Sequence, residues 1–388
     1  MNKQTHWLSL MSSGLAAVVV GFASTVLVVM QAADAVGASE AQKISWAMVL
    51  CLAMGGTCLF LSVKHKMPVI IAWTTPGAVL VAGSAHGMSY PQALGAFAVA
   101  GLLTVATGLV RPLARAIEMM PAAVASAMLA GVLLGWVMRV PAAAISLPWQ
   151  VLPLVIAFFV LRLWKPVWTV PIVVALGLTL GALSGQMPFA ASELVLARPT
   201  FDLPQFTFAS VASLGIPLFL VTMAAQNLPG FAVMRSLGYQ APVSSCLVTN
   251  GLVSAAISPM GGPAINMAAI VASLGAGPDA HPDPAQRWMV CYFYCGFYVL
   301  IAVAAGWFVK VLGGLPPDLV YAIAGLALFS PLLGAMQLML KDAKDIEAAL
   351  VTFLITASGV VIVGVGAPFW GLVAGLAIWG IKKQLENR

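Results

Sequence analysis

The sequence predicts an all-α polytopic membrane protein, with about 14 transmembrane segments in a 7+7 inverted repeat and two broken half-helices at segments 3 and 10. Three observations predict it: an apolar composition, a biased partition of lysine and arginine among the loops, and two Pro/Gly-broken segments at matching places in the two halves. Of the 388 residues, 61% are hydrophobic and 8% are charged, where soluble domains carry about a quarter charged residues. A soluble fold of this length cannot hide so much apolar surface, and a bilayer does not require it to. The mean hydropathy of +1.01 agrees.

The formal charge of +6 rests on basic residues scattered singly and in pairs. It therefore describes loops facing a cytoplasm and excludes a nucleic-acid surface. The first apolar stretch, about 8–33, is too long for the core of a cleavable signal peptide. All five cysteines lie in apolar stretches. Cys291 and Cys295 share a helix face, but no histidine or carboxylate stands at ligand spacing, so they read as packing and no metal is expected.

Twelve apolar stretches read as spans, near 8–33, 44–63, 91–110, 121–138, 150–163, 167–185, 208–230, 241–257, 288–312, 318–339, 347–365 and 367–381. Two more, 68–86 and 259–275, are apolar but broken by Pro and Gly near their starts. With 14 crossings both termini fall on one side, here the cytoplasm. Lys43, Arg139, Arg198 and Lys310 then lie outside, and the other fourteen lysines and arginines, including Arg115, Lys165 and Arg388, lie inside. The positive-inside rule expects this bias for an inner (cytoplasmic) membrane protein, and removing one broken segment scrambles it.

Pro76 and Pro263 stand 187 residues apart, about half the chain. Each broken segment is the third of its half when the halves are 1–200 and 201–388. Seven crossings is an odd number, so the second half enters the membrane from the opposite side. Paired broken segments in inverted halves point to a binding site at the midplane. Small residues four apart, such as Gly131 with Gly135, Gly177 with Gly181 and Gly371 with Gly375, permit close helix packing.

The candidate site follows from these breaks. Pro76 suits the first turn of a helix, so Thr74, Thr75 and Gly77 stand at a buried helix N-terminus whose free N–H groups and dipole favour an anion. Gly261 and Gly262 allow close backbone approach to a ligand, and Asn266 is expected about one turn into the second half-helix. Gln226 and Asn227 are adjacent amides inside a span, where they need partners. Ser24, Thr25 and Gln31 occupy the matching span of the first half. Trp73, Phe219 and Phe22 offer aromatic surface, though core packing accounts for each equally well. No span carries a central Asp, Glu, Lys or Arg, and there is no GxxxxGK[ST], no HExxH and no triad. An enzyme is therefore not expected, and neither is a cofactor. Neutral donors and helix N-termini suit a small, partly apolar anion.

Three motifs carry a resemblance: PVIIAWTTPGA at 68–78, RPLARAIEMMPAAVASAMLAGVLL at 111–134 and SPMGGPAINMAAI at 258–270. With them the chain resembles the benzoate:proton symporter (BenE) family. The resemblance implies a fold related to the uracil, xanthine and sulfate permeases, with a core domain (8–110 and 207–312) moving against a gate domain (111–185 and 318–382). It implies import of benzoate or a similar aromatic carboxylate, coupled to protons, with Thr74, Thr75, Gly77, Gly261, Gly262 and Asn266 at the substrate. Gln226 and Asn227 stand where uracil-permease relatives place a carboxylate, which favours an acceptor-rich ligand and leaves the proton-binding residue open. Related folds often form homodimers. An anion channel or uniporter, and a nucleobase- or sulfate-type permease, remain alternatives on the same scaffold.

Overall fold

The computed structural model describes residues 3–23, 25–84, 87–112, 120–164, 166–185, 196–268, 271–363 and 365–386. Ser24, Arg115, Lys165 and Arg388 lie outside them.

Helices dominate. The first half holds α1 (Lys3–Ala23), α2 (Val26–Ala35), α3 (Glu40–His65), α4 (Thr75–Ser84), α5 (Tyr90–Leu109), α6 (Ala122–Val137), α7 (Arg139–Ser146), α8 (Pro148–Trp164) and α9 (Thr169–Leu183). The second holds α10 (Phe208–Ser236), α11 (Val243–Ile257), α12 (Ala272–Ala276), α13 (Val290–Val303), α14 (Ala305–Gly313), α15 (Pro317–Met339), α16 (Ile346–Ser358) and α17 (Ala367–Glu386). Among the described residues, eight helices are long and apolar enough to cross a membrane.

Local signals set several boundaries. Ser39 and Gln42 form a reciprocal capping box at the start of α3, and Lys66, left-handed at φ 53°, ends that helix. Ser89 and Gln92 do the same for α5, with Pro91 in its first turn. Gly359, at φ 67°, ends α16 after Ser358. The stretch 347–365 is thus not one helix, because its last residues form a small hairpin of Val361–Ile362 with Val365–Gly366. The 288–312 stretch divides at Ala304 into α13 and α14, and the first stretch divides between Ala23 and Val26.

Packing sorts the helices into two groups. In one, α5 lies against α11, α3 against α13, and α2 against α4. In the other, α6 lies against α15 and α16, and α16 against α17. Glycine permits the tightest of these contacts. A Cβ on Gly101 would meet the Ala255 backbone N at 2.7 Å, and one on Gly251 would meet the Gly101 carbonyl at 2.6 Å. Gly131, Gly371 and Gly375 likewise sit against Thr356 or Thr352, as expected of small-residue seams.

The two broken segments meet in the middle of the first group. Strand β1 (Ile71–Trp73) pairs antiparallel with β2 (Ile265–Met267), with Ala72 opposite Asn266. Extended backbone inside a bilayer must find hydrogen bonds within the protein, and each broken segment supplies the other's.

Candidate functional site

The crossing needs more partners than two three-residue strands supply, and side chains provide them. Tyr294 Oη donates to the Ile71 carbonyl at 2.7 Å. Ser254 Oγ accepts the Ile265 N–H at 3.0 Å, and Asn227 Oδ1 accepts the Met267 N–H at 3.0 Å. The Ala268 N–H reaches the Ile70 carbonyl at 2.9 Å. The buried backbone here is paired group by group.

Asn266 belongs to this scaffold. It lies in β2 and not one turn into a helix, because its backbone is held by β1. The amide orientation that satisfies both ends turns Oδ1 to the Thr74 N–H at 3.1 Å and Nδ2 to the Met267 carbonyl at 2.9 Å. The second half-helix is also shorter than expected: α12 spans only Ala272–Ala276. Among the described residues, the crossing thus brings together the start of α4 and the strand β2.

Thr74 Oγ1 accepts the Gly77 N–H at 3.1 Å, which is an N-cap bond. The same oxygen lies 2.9 Å from Thr222 Oγ1, which brings the start of α4 against α10. Fewer N–H groups remain free than the sequence suggests, since Thr74 takes Gly77's and Pro76 has none. Thr75 is half-buried, and its hydroxyl has no partner among the described residues.

The glycines serve packing. A Cβ on Gly77 would collide with Leu218 and Thr74. One on Gly261, at φ 104°, would fall within the Trp46 indole, and one on Gly262 would meet Ile257. Close approach is real at all three, but the neighbour is protein.

Beside α4, α10 is interrupted twice by π turns, at Val211–Gly215 and Met223–Asn227. Such turns cluster at functional places because they shift the register of the side chains that follow. Gln226 and Asn227 end the second one. Asn227 is fully buried and tied to β2, and its Nδ2 also touches Met223 Sδ at 3.4 Å. Gln226 is 9% exposed, and its amide has no hydrogen bond among the described residues.

Thr25 accepts the Trp73 Nε1–H at 2.7 Å and donates to the Gly21 carbonyl at 2.9 Å. Phe22 lies against Trp73, with ring centroids 5.5 Å apart, and against Phe308 at 5.2 Å. Aromatic surface thus flanks the end of β1, while Phe219 is buried in the core. Of the expected site residues at the crossing, Thr75 and Gln226 keep polar groups uncommitted to protein; Gln31, on α2, also has a buried Oε1 without a partner among the described residues. The sequence reading missed Tyr294, Ser254 and Thr222. Their signal was a hydroxyl facing inward from an otherwise apolar span.

Among the described residues, no group of three or more His, Cys, Asp or Glu could hold a metal. Among the described residues, the buried charged side chain is Arg287, occupied by the carbonyls of His281, Ala276 and Pro282. The crossing is therefore a neutral, donor-bearing site.

The family model described as "Benzoate membrane transport protein" matches residues 4–381. The chain is 36% identical to the inner membrane protein YdcO of Escherichia coli (strain K12), covering 97% of this chain and 96% of that one. It is 30% identical to a benzoate membrane transport protein of Acinetobacter baylyi, covering 98% and 96%. Among solved structures, the transmembrane domain of a cyanobacterium bicarbonate transporter, BicA, superposes with a TM-score of 0.62 at 15% identity, covering 97% of this chain and 98% of that one. SLC26A9 gives 0.65 at 13% identity, covering 100% of this chain and 66% of that one. At such identities the likeness concerns the fold.

Proposed function

This chain belongs to the BenE family of benzoate membrane transport proteins, and on that premise we propose that it imports benzoate, or a similar small aromatic carboxylate, together with a proton. It is a membrane transporter and not an enzyme. The observation that carries the reading is the pair of uncommitted polar groups beside the strand crossing, the Thr75 hydroxyl and the Gln226 amide. A carboxylate accepts from both, and the first turn of α4 adds its dipole. The Phe22–Trp73 pair offers the ring an apolar face.

Proton coupling needs a group that changes charge. No carboxylate stands among the described residues of the crossing, so the coupled proton joins the bound carboxylate and the cargo moves on as its acid. Movement follows the two packing groups: a core domain (8–110 and 207–312) carries the site past a gate domain (111–185 and 318–382) in alternating access. In this reading the chain crosses the inner membrane in 14 segments as a 7+7 repeat, with both termini cytoplasmic, and assembles as a homodimer.

The test is uptake of labelled benzoate into proteoliposomes with and without an imposed pH gradient. Saturable uptake that accelerates when the lumen is alkaline is expected. Uptake indifferent to the gradient rejects proton coupling, and large uncoupled currents make the protein a channel.

A further inference from the structure

A cavity of about 230 Å³ lies between the two packing groups, well away from the strand crossing. The end of α4 lines it at Ser84, α6 at Val132 and Trp136, α16 at Thr356, and α17 at Pro368, with Arg139 at its edge. Thr75 and Ser84 are the two ends of α4, and a ten-residue helix is about 15 Å long. The cavity is thus distinct from the crossing. A second cavity includes Lys43 and Tyr321.

Arg139 and Lys43, the two cations lining these cavities, differ. Lys43 is paired with Asp34 at 2.7 Å. Arg139 is exposed and has no carboxylate and no hydrogen bond among the described residues. What holds it is stacking: its guanidinium carbon lies 4.2 Å from the Tyr321 ring centroid and 5.4 Å from that of Trp136. Stacking uses the face of the guanidinium and leaves its edge N–H groups free to pair with a planar acceptor. Thr356 also lines the cavity, but its Oγ1 is buried against Gly371 and closed to a ligand there.

We propose that this cavity is a second anion site, a station where Arg139 pairs with the carboxylate of an aromatic acid whose ring lies against Trp136, Val132 and Pro368. The chemistry selects the class of ligand. The cavity has room for a benzene-sized ring beside Trp136, Val132 and Pro368, with an unpaired guanidinium at its rim. Bidentate guanidinium–carboxylate pairs are among the stronger hydrogen-bonded contacts. The station concentrates cargo before it moves on to Thr75 and Gln226. It rests on the reading that the cargo is an aromatic carboxylate.

Benzoate uptake by Arg139→Gln and Arg139→Lys in proteoliposomes tests this. Arg139→Gln is expected to raise KM about tenfold, the size of one lost charge-assisted pair, with a far smaller effect on the maximal rate. Arg139→Lys keeps the charge but not the planar fork, so its KM falls between those of native and Gln. A native KM in Arg139→Gln overturns the station and leaves the transport reading standing. A native KM in Arg139→Lys reduces Arg139 to a point charge and overturns the pairing. Absence of benzoate uptake by the native protein overturns the transport reading, and the station with it.

Discussion

Asn227 Oδ1 accepts the N–H of Met267 at 3.0 Å, so a side chain of α10 holds the backbone of β2. The contact is fully buried, and the N–H has no water to turn to. Asn227→Leu leaves that donor orphaned, at a cost of about 1–3 kcal/mol. The expected outcome is a lower unfolding temperature in detergent together with lost uptake. A variant as stable as native would show that β2 is held without Asn227.

Gln226, one residue earlier, is expected to behave differently. Its amide has no protein partner among the described residues, so truncation orphans nothing. Gln226→Ala should unfold at nearly the native temperature, yet bind benzoate about tenfold more weakly, as loss of one hydrogen bond to a charged group does. Ligand-induced thermal stabilisation reads both quantities in one titration, because ligand that binds only the folded state raises its apparent stability. Native affinity in this variant would remove Gln226 from the site.

Gly261 tests packing. Its φ of 104° disfavours any Cβ, and the place a Cβ would take is filled by Trp46, whose Nε1–H is already committed to Tyr90 Oη at 3.0 Å. The indole cannot retreat without breaking that bond. Gly261→Ala is expected to lose about 3 kcal/mol or more, from strain and overpacking together. Size-exclusion chromatography of the solubilised variant should show aggregation or sharply reduced yield, and a monodisperse, stable Gly261→Ala would contradict the contact.

The sequence reading located both breaks, at Pro76 and Pro263, and every expected site residue among the described ones lies on the elements that form or flank the crossing. It did not separate scaffold from site. A run such as Ile265-Asn266-Met267 is equally compatible with strand and helix, and its state is settled by β1, 194 residues away in register from Ala72 to Asn266. Once β1 claims that backbone, Asn266 and Asn227 become structural ties. The glycines misled for a related reason: a small residue signals close approach but not what approaches. The π turn at Met223–Asn227 was illegible too, because it changes which neighbour Gln226 faces without any change in composition.

Thr74 shows how scaffold and site are coupled. Its single oxygen accepts the Gly77 N–H at 3.1 Å and lies 2.9 Å from Thr222 Oγ1, so one hydroxyl both caps α4 and docks it on α10. Thr74→Val keeps the shape and removes both bonds. Loss of an N-cap costs about 1 kcal/mol, and the buried Thr222 hydroxyl loses its partner as well. The first turn of α4, which carries Thr75, then frays. The expected result is a modest fall in stability with a larger fall in uptake, since the substrate needs that turn in place. Thr74→Ser retains the oxygen and should recover most of both. Equal uptake by the Val and Ser variants would mean that the cap does not position Thr75, and that the site lies elsewhere along the crossing.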